Sequence, residues 1–216
     1  DHADWADAKI LTLPEASSIP WSVPRQKQET EILTPAPSNA PLINVPGVLG
    51  AGTYRDFMYY IPVAGHKPMK VSVEGLPKGM SFNRKTRMIK GKTEGPGDYP
   101  IAVNVENQFG RDQKNFILKV GDKLALTPPM GWNSWNCWGS TVNEKHIREA
   151  GDAFIRTGLI DHGWTYICID DTWEGKRDPE TLRLGSNEKF PNMKKLGDYL
   201  HSQGLKFGIY TDVGYK

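Results

Sequence analysis

Cysteine is scarce in this sequence: Cys137 and Cys168 are the only two in 216 residues. That excludes a scaffold held together by a disulfide framework. A bridge between the two is disfavoured as well. Cys168 sits in an apolar run, Tyr166-Ile-Cys-Ile169, where a free thiol behaves as a small hydrophobe. Long apolar runs are missing too, and no stretch approaches the roughly 18 consecutive apolar residues of a membrane-spanning helix. The five histidines, His2, His66, His146, His162 and His201, have no metal-ligand spacing and read as solvated or capping residues. No glycine-rich phosphate loop follows any apolar run, which disfavours a nucleotide-binding fold. Charge of one sign is also lacking. Lys and Arg number 27 against 25 Asp and Glu, the formal net charge is +2, and the cations are scattered. There is no electrostatic case for nucleic acid or an anionic membrane as partner. The N-terminus, Asp1-His-Ala-Asp-Trp5, has neither an initiator Met nor the pattern of a signal peptide. The chain is therefore expected to be a piece of something longer.

What is present is an ordinary globular composition, 38% hydrophobic and 24% charged, long enough for one or two domains. Residues 14–46 are rich in Pro, Ser and charge, lack helical periodicity and read as an extended linker. Within it Ile32-Leu33 and Leu42-Ile43 are candidate short strands opening the next domain. Residues 47–120 carry an all-β pattern, with strand candidates at 57–61, 69–73, 87–90, 99–105 and 115–120. Turn signals such as Glu74-Gly-Leu-Pro77, Gly91 and Gly95-Pro-Gly97 separate them. Short alternating strands with frequent turns predict a small β-sandwich. These strands show no clustered exposed Trp or Tyr platform, so the domain reads as a spacer holding its neighbour at a distance. Weak sugar or partner binding is the alternative.

From residue 124 the pattern changes to alternating β and α, which predicts a parallel sheet. Strands are expected at 130–134, 165–169 and 205–210. Thr141-Val-Asn-Glu144 has capping-box spacing and predicts a helix start. Ile147, Ala150, Phe154 and Ile155 form that helix's apolar stripe, and Gly163 is the stop signal. Met193, Leu196 and Leu200 mark a second helix ended by Gly204. Between them residues 171–190 form a polar loop whose length argues for a functional connection.

The chemistry collects at the ends of these three strands. The middle one, Tyr166-Ile-Cys-Ile-Asp-Asp-Thr-Trp173, runs straight into two adjacent carboxylates. The first leads to Trp135, and the third to Tyr210 and Asp212. In a (β/α) barrel the site is built at the C-terminal strand ends. Aromatic rings that stack on C–H faces, beside carboxylates that accept hydroxyl hydrogens, suit a sugar. Adjacent carboxylates bracket one glycosidic bond poorly, since neighbouring strand residues point to opposite faces. Asp170 and Asp171 therefore read as a grip for two hydroxyls, not as a catalytic pair. The competing reading is a helix cap or a salt bridge to Lys176 or Arg177. Asp178 falls in the long loop and is a candidate for ordering it.

Four ordered motifs carry a resemblance: Leu126-Thr-Pro-Pro-Met-Gly-Trp-Asn-Ser-Trp135, Ile169-Asp-Asp-Thr-Trp173, Lys189-Phe-Pro191 and Gly204-Leu-Lys-Phe-Gly-Ile-Tyr210. Together they resemble the start of the barrel in melibiase-type α-galactosidases, glycoside hydrolase family 27. The resemblance implies a multidomain chain in which a β-sandwich (47–120) precedes the first three βα units of a (β/α)8 TIM barrel (124–216), truncated. It implies a retaining hydrolase of terminal α-linked galactose in oligo- or polysaccharides, working without metal or organic cofactor and secreted, periplasmic or at the cell surface. Trp135, Asp170, Asp171 and Tyr210 match substrate-binding positions, the aspartates at galactose O4 and O6. No residue matches the nucleophile or the acid/base, which are expected beyond Lys216, so the fragment itself is expected to be inactive. Asp212 corresponds to the end of the third strand and is no more than a supporting candidate. Relatives often have a disulfide-forming Cys after the paired Asp; Thr172 stands there, so that bridge is expected to be absent. α-N-Acetylgalactosaminidase, β-L-arabinopyranosidase and a non-catalytic carbohydrate-binding protein share this half of the pattern and stay open. Val73-Glu-Gly-Leu-Pro-Lys-Gly-Met80 and Gly97-Asp-Tyr-Pro100 resemble the immunoglobulin-like domain of bacterial surface and secreted proteins. Asp1-His-Ala-Asp-Trp-Ala-Asp-Ala8 resembles the closing strand of the carbohydrate-associated module NPCBM, making residues 1–13 a remnant strand; a frayed N-terminal strand is the plain alternative.

Overall fold

The structure is a computed structural model that describes residues 38–211. Residues 1–13, most of the linker and Asp212 lie outside the described residues. The chain first forms β1 (Leu42–Ile43), β2 (Val48–Gly52), β3 (Phe57–Tyr60), β4 (Val63–Ala64), β5 (Lys70–Glu74), β6 (Met80–Asn83), β7 (Met88–Gly91), β8 (Gly97–Asn107) and β9 (Gly110–Gly121). They make a four-stranded sheet in the order β2-β9-β8-β5, a three-stranded sheet β3-β7-β6 and the small pair β1-β4. The long hairpin β8–β9 shows why this segment folds as sheet. Ile101, Val103 and Val105 on one strand, and Phe116, Leu118 and Val120 on the other, recur with period two, and all are buried. Ile43 and Val45 are part of the same core.

Two strands here escape an alternation reading. β2 is Val-Leu-Gly-Ala-Gly and lies parallel to β9, and β6 is a Met-Ser-Phe-Asn edge strand on β7. Glycines erase the period-two signal in β2, whereas β6 alternates Met-Ser-Phe-Asn but runs for only four residues.

The second region contains β10 (Gly131–Asn133), the one-turn α1 (Trp135–Trp138), α2 (Glu144–Arg156), β11 (Tyr166–Ile169), β12 (Glu174–Arg177), β13 (Leu184–Ser186), α3 (Met193–Ser202) and β14 (Lys206–Ile209). β10, β11 and β14 form a parallel sheet in that order. Helices α2 and α3 occupy the crossovers and bury Ile147, Phe154, Leu196 and Leu200. They approach closely at Gly151, where a Cβ would stand 2.6 Å from the Leu200 side chain.

Three local expectations are corrected. The N-cap of α2 is Asn143, whose side chain accepts from His146 N, and not Thr141. Thr141 instead sits in a 3-10 turn and donates to Trp138 O, while Glu144 pairs with Arg148. Ile155 is 40% exposed, and Gly151 takes the buried place. Ile155, eight residues after Ile147, lies roughly 80° round the helix from that residue. The loop over 171–190 holds an antiparallel hairpin, β12–β13.

The sandwich is also no distant spacer. Tyr60 and Met88 leave its own core and join the core of the βα region with Phe154, Ile160 and Leu205. Tyr60 lies on Gly204, where a Cβ would come within 2.8 Å of the ring. Beside it the buried Asp161 accepts from Tyr60 Oη at 2.7 Å and from Arg87 at 2.8 Å. Asn44 Nδ2 donates to the Asp161 carbonyl at 2.9 Å, and Lys67 pairs with its carboxylate at 3.2 Å. Burial, together with the bond to Asp161 and despite the Arg87 guanidinium, pushes the Tyr60 phenol above its ordinary range. Asp161 precedes β11 and Gly204 precedes β14, so the sandwich braces the N-terminal ends of the parallel strands and leaves the opposite ends clear.

Candidate functional site

The register of the sheet brings the predicted residues to one edge. Asn133 is level with Cys168, and Ile169 with Ile209. The next residues along the chain are therefore Ser134-Trp135, Asp170-Asp171 and Tyr210, delivered by three neighbouring strands at their C-terminal ends. Trp135 is 45% exposed and Tyr210 43%, large for aromatic residues beside a core.

Each carboxylate is aimed by the backbone that follows it. Asp171 N donates to Asp170 Oδ1 at 2.8 Å, and Thr172 N donates to Asp171 Oδ1 at 2.6 Å. Asp170 N in turn donates to the buried Ser134 Oγ at 3.0 Å, which ties the middle strand to the first. Each carboxylate is thus engaged through one oxygen, and among the described residues neither forms an ion pair. The expected alternative, a salt bridge to Lys176 or Arg177, does not occur. Asp170 is half-buried and Asp171 exposed.

The turn after the pair is fixed on every side. Thr172 adopts φ 72°, a left-handed conformation rare for a β-branched residue. Its carbonyl accepts from Asn187 Nδ2 at 2.8 Å and its hydroxyl from Lys189 Nζ at 3.0 Å. Trp173 is buried and donates through Nε1 to the Tyr210 carbonyl at 2.7 Å, joining the second strand end to the third. Asp178 closes the hairpin tip: its Oδ1 accepts from Glu180 N and from both Thr181 N and Oγ1. The bonds from Thr181 hold this exposed carboxyl below its ordinary range.

Ser134, Asn187 and Lys189 are the supporting residues that sequence reasoning left without a role. Ser134 and Lys189 stood inside the Gly-Trp-Asn-Ser-Trp and Lys-Phe-Pro motifs, whereas nothing signalled Asn187. Cys137 and Cys168 are both free. Burial, reinforced by the nearby Asp170 carboxylate and partly offset by the Gly208 N–H, pushes the Cys168 thiol up. Among the described residues no group of three or more His, Cys, Asp or Glu could hold a metal, and no helix is long and apolar enough to cross a membrane. A concavity of about 780 Å³ lies away from this edge, on the sandwich, between Met69, Arg84, Arg111 and Asp112. Its lining has no aromatic ring, so it lacks the stacking surface that the strand ends offer.

A parallel βα sheet whose C-terminal edge presents paired carboxylates between exposed aromatics is the kind of site that grips a polyol. Comparison with known proteins narrows that class. Residues 127–216 match the family profile "Alpha galactosidase A" and residues 40–121 the profile "Putative Ig domain". Alpha-galactosidase A of Cellvibrio japonicus is 49% identical over 94 residues, 43% of this chain and 23% of the relative. The alpha-galactosidase of Cyamopsis tetragonoloba is 50% identical over 93 residues, 42% of this chain and 23% of the relative. The chain thus spans about a quarter of the length of these relatives. A crystal structure of a "putative alpha-galactosidase" from Bacteroides fragilis superposes with a TM-score of 0.78 at 39% identity, covering 85% of this chain and 40% of that one. That coverage is too large for the sandwich or the βα region alone, so the likeness runs through both. The C-terminal region is thus similar to part of α-galactosidases, and the preceding one to an immunoglobulin-like domain.

Proposed function

We propose that residues 124–216 are the first three βα units of a (β/α)8 barrel, and that the whole protein is a secreted bacterial hydrolase of terminal α-linked galactose. The order β10-β11-β14 with helices in both crossovers supports the barrel reading, as does the near-half identity to α-galactosidases. In this reading Asp170 and Asp171 accept the O4 and O6 hydroxyls of galactose, while Trp135 and Tyr210 line the sugar. The nucleophile and the acid/base of the retaining route stand about 5–5.5 Å apart across the scissile bond. Adjacent residues of one strand end do not make that bracket; the resemblance to α-galactosidases implies that the nucleophile and the acid/base follow later strands, beyond Lys216, and in this reading the chain supplies the grip alone. Residues 1–13 are read as the last strand of a preceding carbohydrate-associated module.

The observation that carries the reading is the aspartate pair itself. Each carboxylate is pinned by one oxygen to its own turn and, among the described residues, paired with no cation, at the edge where the strands deliver Trp135 and Tyr210. A charged acceptor unspent on a salt bridge is suited to hydroxyl donors. In the full-length protein, Asp170→Asn and Asp171→Asn are each expected to lower kcat/KM for an aryl α-galactoside by about 10- to 100-fold, the loss of a hydrogen bond to a charged group. The melting temperature is expected to stay within a few degrees. Near-normal kinetics in both variants would remove the assignment.

A further inference from the structure

Three segments meet at one lysine. Lys189 Nζ donates to the Ser140 carbonyl at 2.9 Å and to Thr172 Oγ1 at 3.0 Å. Its own carbonyl accepts from Glu144 N, the first residue of α2, at 3.0 Å. The neighbouring Phe190 is fully buried, so the ammonium is delivered from an anchored base. Among the described residues no carboxylate pairs with Lys189. Its charge is spent on neutral oxygens of the loops after β10 and β11.

The target of those bonds is the strained residue. A β-branched side chain at φ 72° is held only where its surroundings over-determine it. Thr172 Oγ1 donates to the Ser140 carbonyl at 3.3 Å and accepts from Lys189, which uses the one donor and one of the acceptor sites of a hydroxyl. The N–H of the same residue is what orients Asp171, through a 2.6 Å bond to Oδ1. Releasing Thr172 into an ordinary conformation would turn that N–H away and leave the Asp171 carboxylate without its bearing.

We propose that Lys189 is a positioning residue for Asp171, acting through Thr172: the ammonium clamps the Thr172 hydroxyl against Ser140 and so fixes the carboxylate that meets the sugar. This rests on the reading of Asp171 as a galactoside-binding residue, and two measurements separate the claims. The first is hydrogen exchange by mass spectrometry on the full-length protein, which requires no activity. Lys189→Met is expected to speed exchange across 171–175 at least tenfold while 166–169 stays unchanged. Thr172→Val, which removes only the clamped hydroxyl, is expected to do the same and stands in should Lys189→Met fail to fold. Unchanged exchange at 171–175 in either folded variant overturns the clamp. The second is kinetic. Asp171 contacts the sugar in ground and transition states alike, so Lys189→Met is expected to raise KM about tenfold with kcat nearly unchanged. Lys189→Arg, which keeps a cationic donor, should retain most of the lost affinity. In an Asp171→Asn background Lys189→Met is expected to add less than twofold. A full additive loss there marks a general structural role and overturns the proposal. Should the wild type turn over no α-galactoside, the functional reading fails and the exchange result alone decides the clamp.

Discussion

The two regions of this chain satisfy their cores in different ways. The sandwich closes on itself: its sheets face each other, and Ile61, Val63, Ile101 and Val103 between them are fully buried. The βα region has a buried layer under its helices, yet its third strand ends in Ile209, 51% exposed, and Tyr210. It also borrows Tyr60 and Met88 from the sandwich to complete its packing. The difference shows a division of labour along the parallel strands. Their N-terminal ends are braced by the neighbouring domain through Asp161 and Gly204, and their C-terminal ends carry Trp135, Asp170, Asp171 and Tyr210, the side chains proposed to grip the sugar. The immunoglobulin-like region is thus part of the support of the site's scaffold.

The largest expected effect breaks this brace. Asp161→Ala leaves the Arg87 guanidinium buried without its carboxylate and the Tyr60 hydroxyl without its acceptor, at a cost of about 3 kcal/mol. Chemical denaturation followed by hydrogen exchange should show the βα region opening first, with β8 and β9 still protected. Equal loss in both regions would mean that the sandwich depends on the contact as much as its partner does. The brace has a pH signature as well. The Tyr60 phenol is raised in the folded state, so the stability it contributes is fully present below the unfolded tyrosine value of about 10 and is lost as pH climbs toward the folded one. Tyr60→Phe is expected to be less stable at neutral pH and to lose less on going to pH 11.

A smaller effect sharpens the comparison on the site side. Cys137 is exposed on the turn after β10, whereas Cys168 is half-buried in β11 with its thiol pushed up. Alkylation at pH 8 should label Cys137 at least tenfold faster, because the thiolate is the reacting species. Equal rates would mean that the parallel sheet opens readily around Cys168.

Much of this division was legible in the sequence, and the gaps have physical causes. The short runs ending in Trp135, Asp170-Asp171 and Tyr210 announced the strand ends; in the middle one Ile167 and Ile169 are buried, and the polar chemistry begins where β11 stops. The β8–β9 hairpin was legible because Ile101 to Val105 and Phe116 to Val120 alternate. β2 was not, since its glycines carry no side-chain period and its partner β9 is some seventy residues away. The β12–β13 hairpin hid in Glu-Gly-Lys-Arg and Leu-Gly-Ser, which lack β-branched alternation. Asp161 looked like an ordinary polar residue before a stop glycine. Its partners Tyr60 and Arg87 lie 101 and 74 positions away, and no local pattern records such a contact. Lys189 stood in a legible motif, but its role depends on the φ of Thr172, which sequence does not display.

The most direct measurement is turnover of an aryl α-galactoside by residues 1–216 beside the full-length protein. The expected result is turnover by the full-length protein alone, because in the proposed reading Asp170 and Asp171 hold the sugar and, being adjacent, do not bracket its glycosidic bond. Turnover by residues 1–216 that survives repurification and disappears in Asp170→Ala would contradict this, placing nucleophile and acid/base within the residues described as a grip.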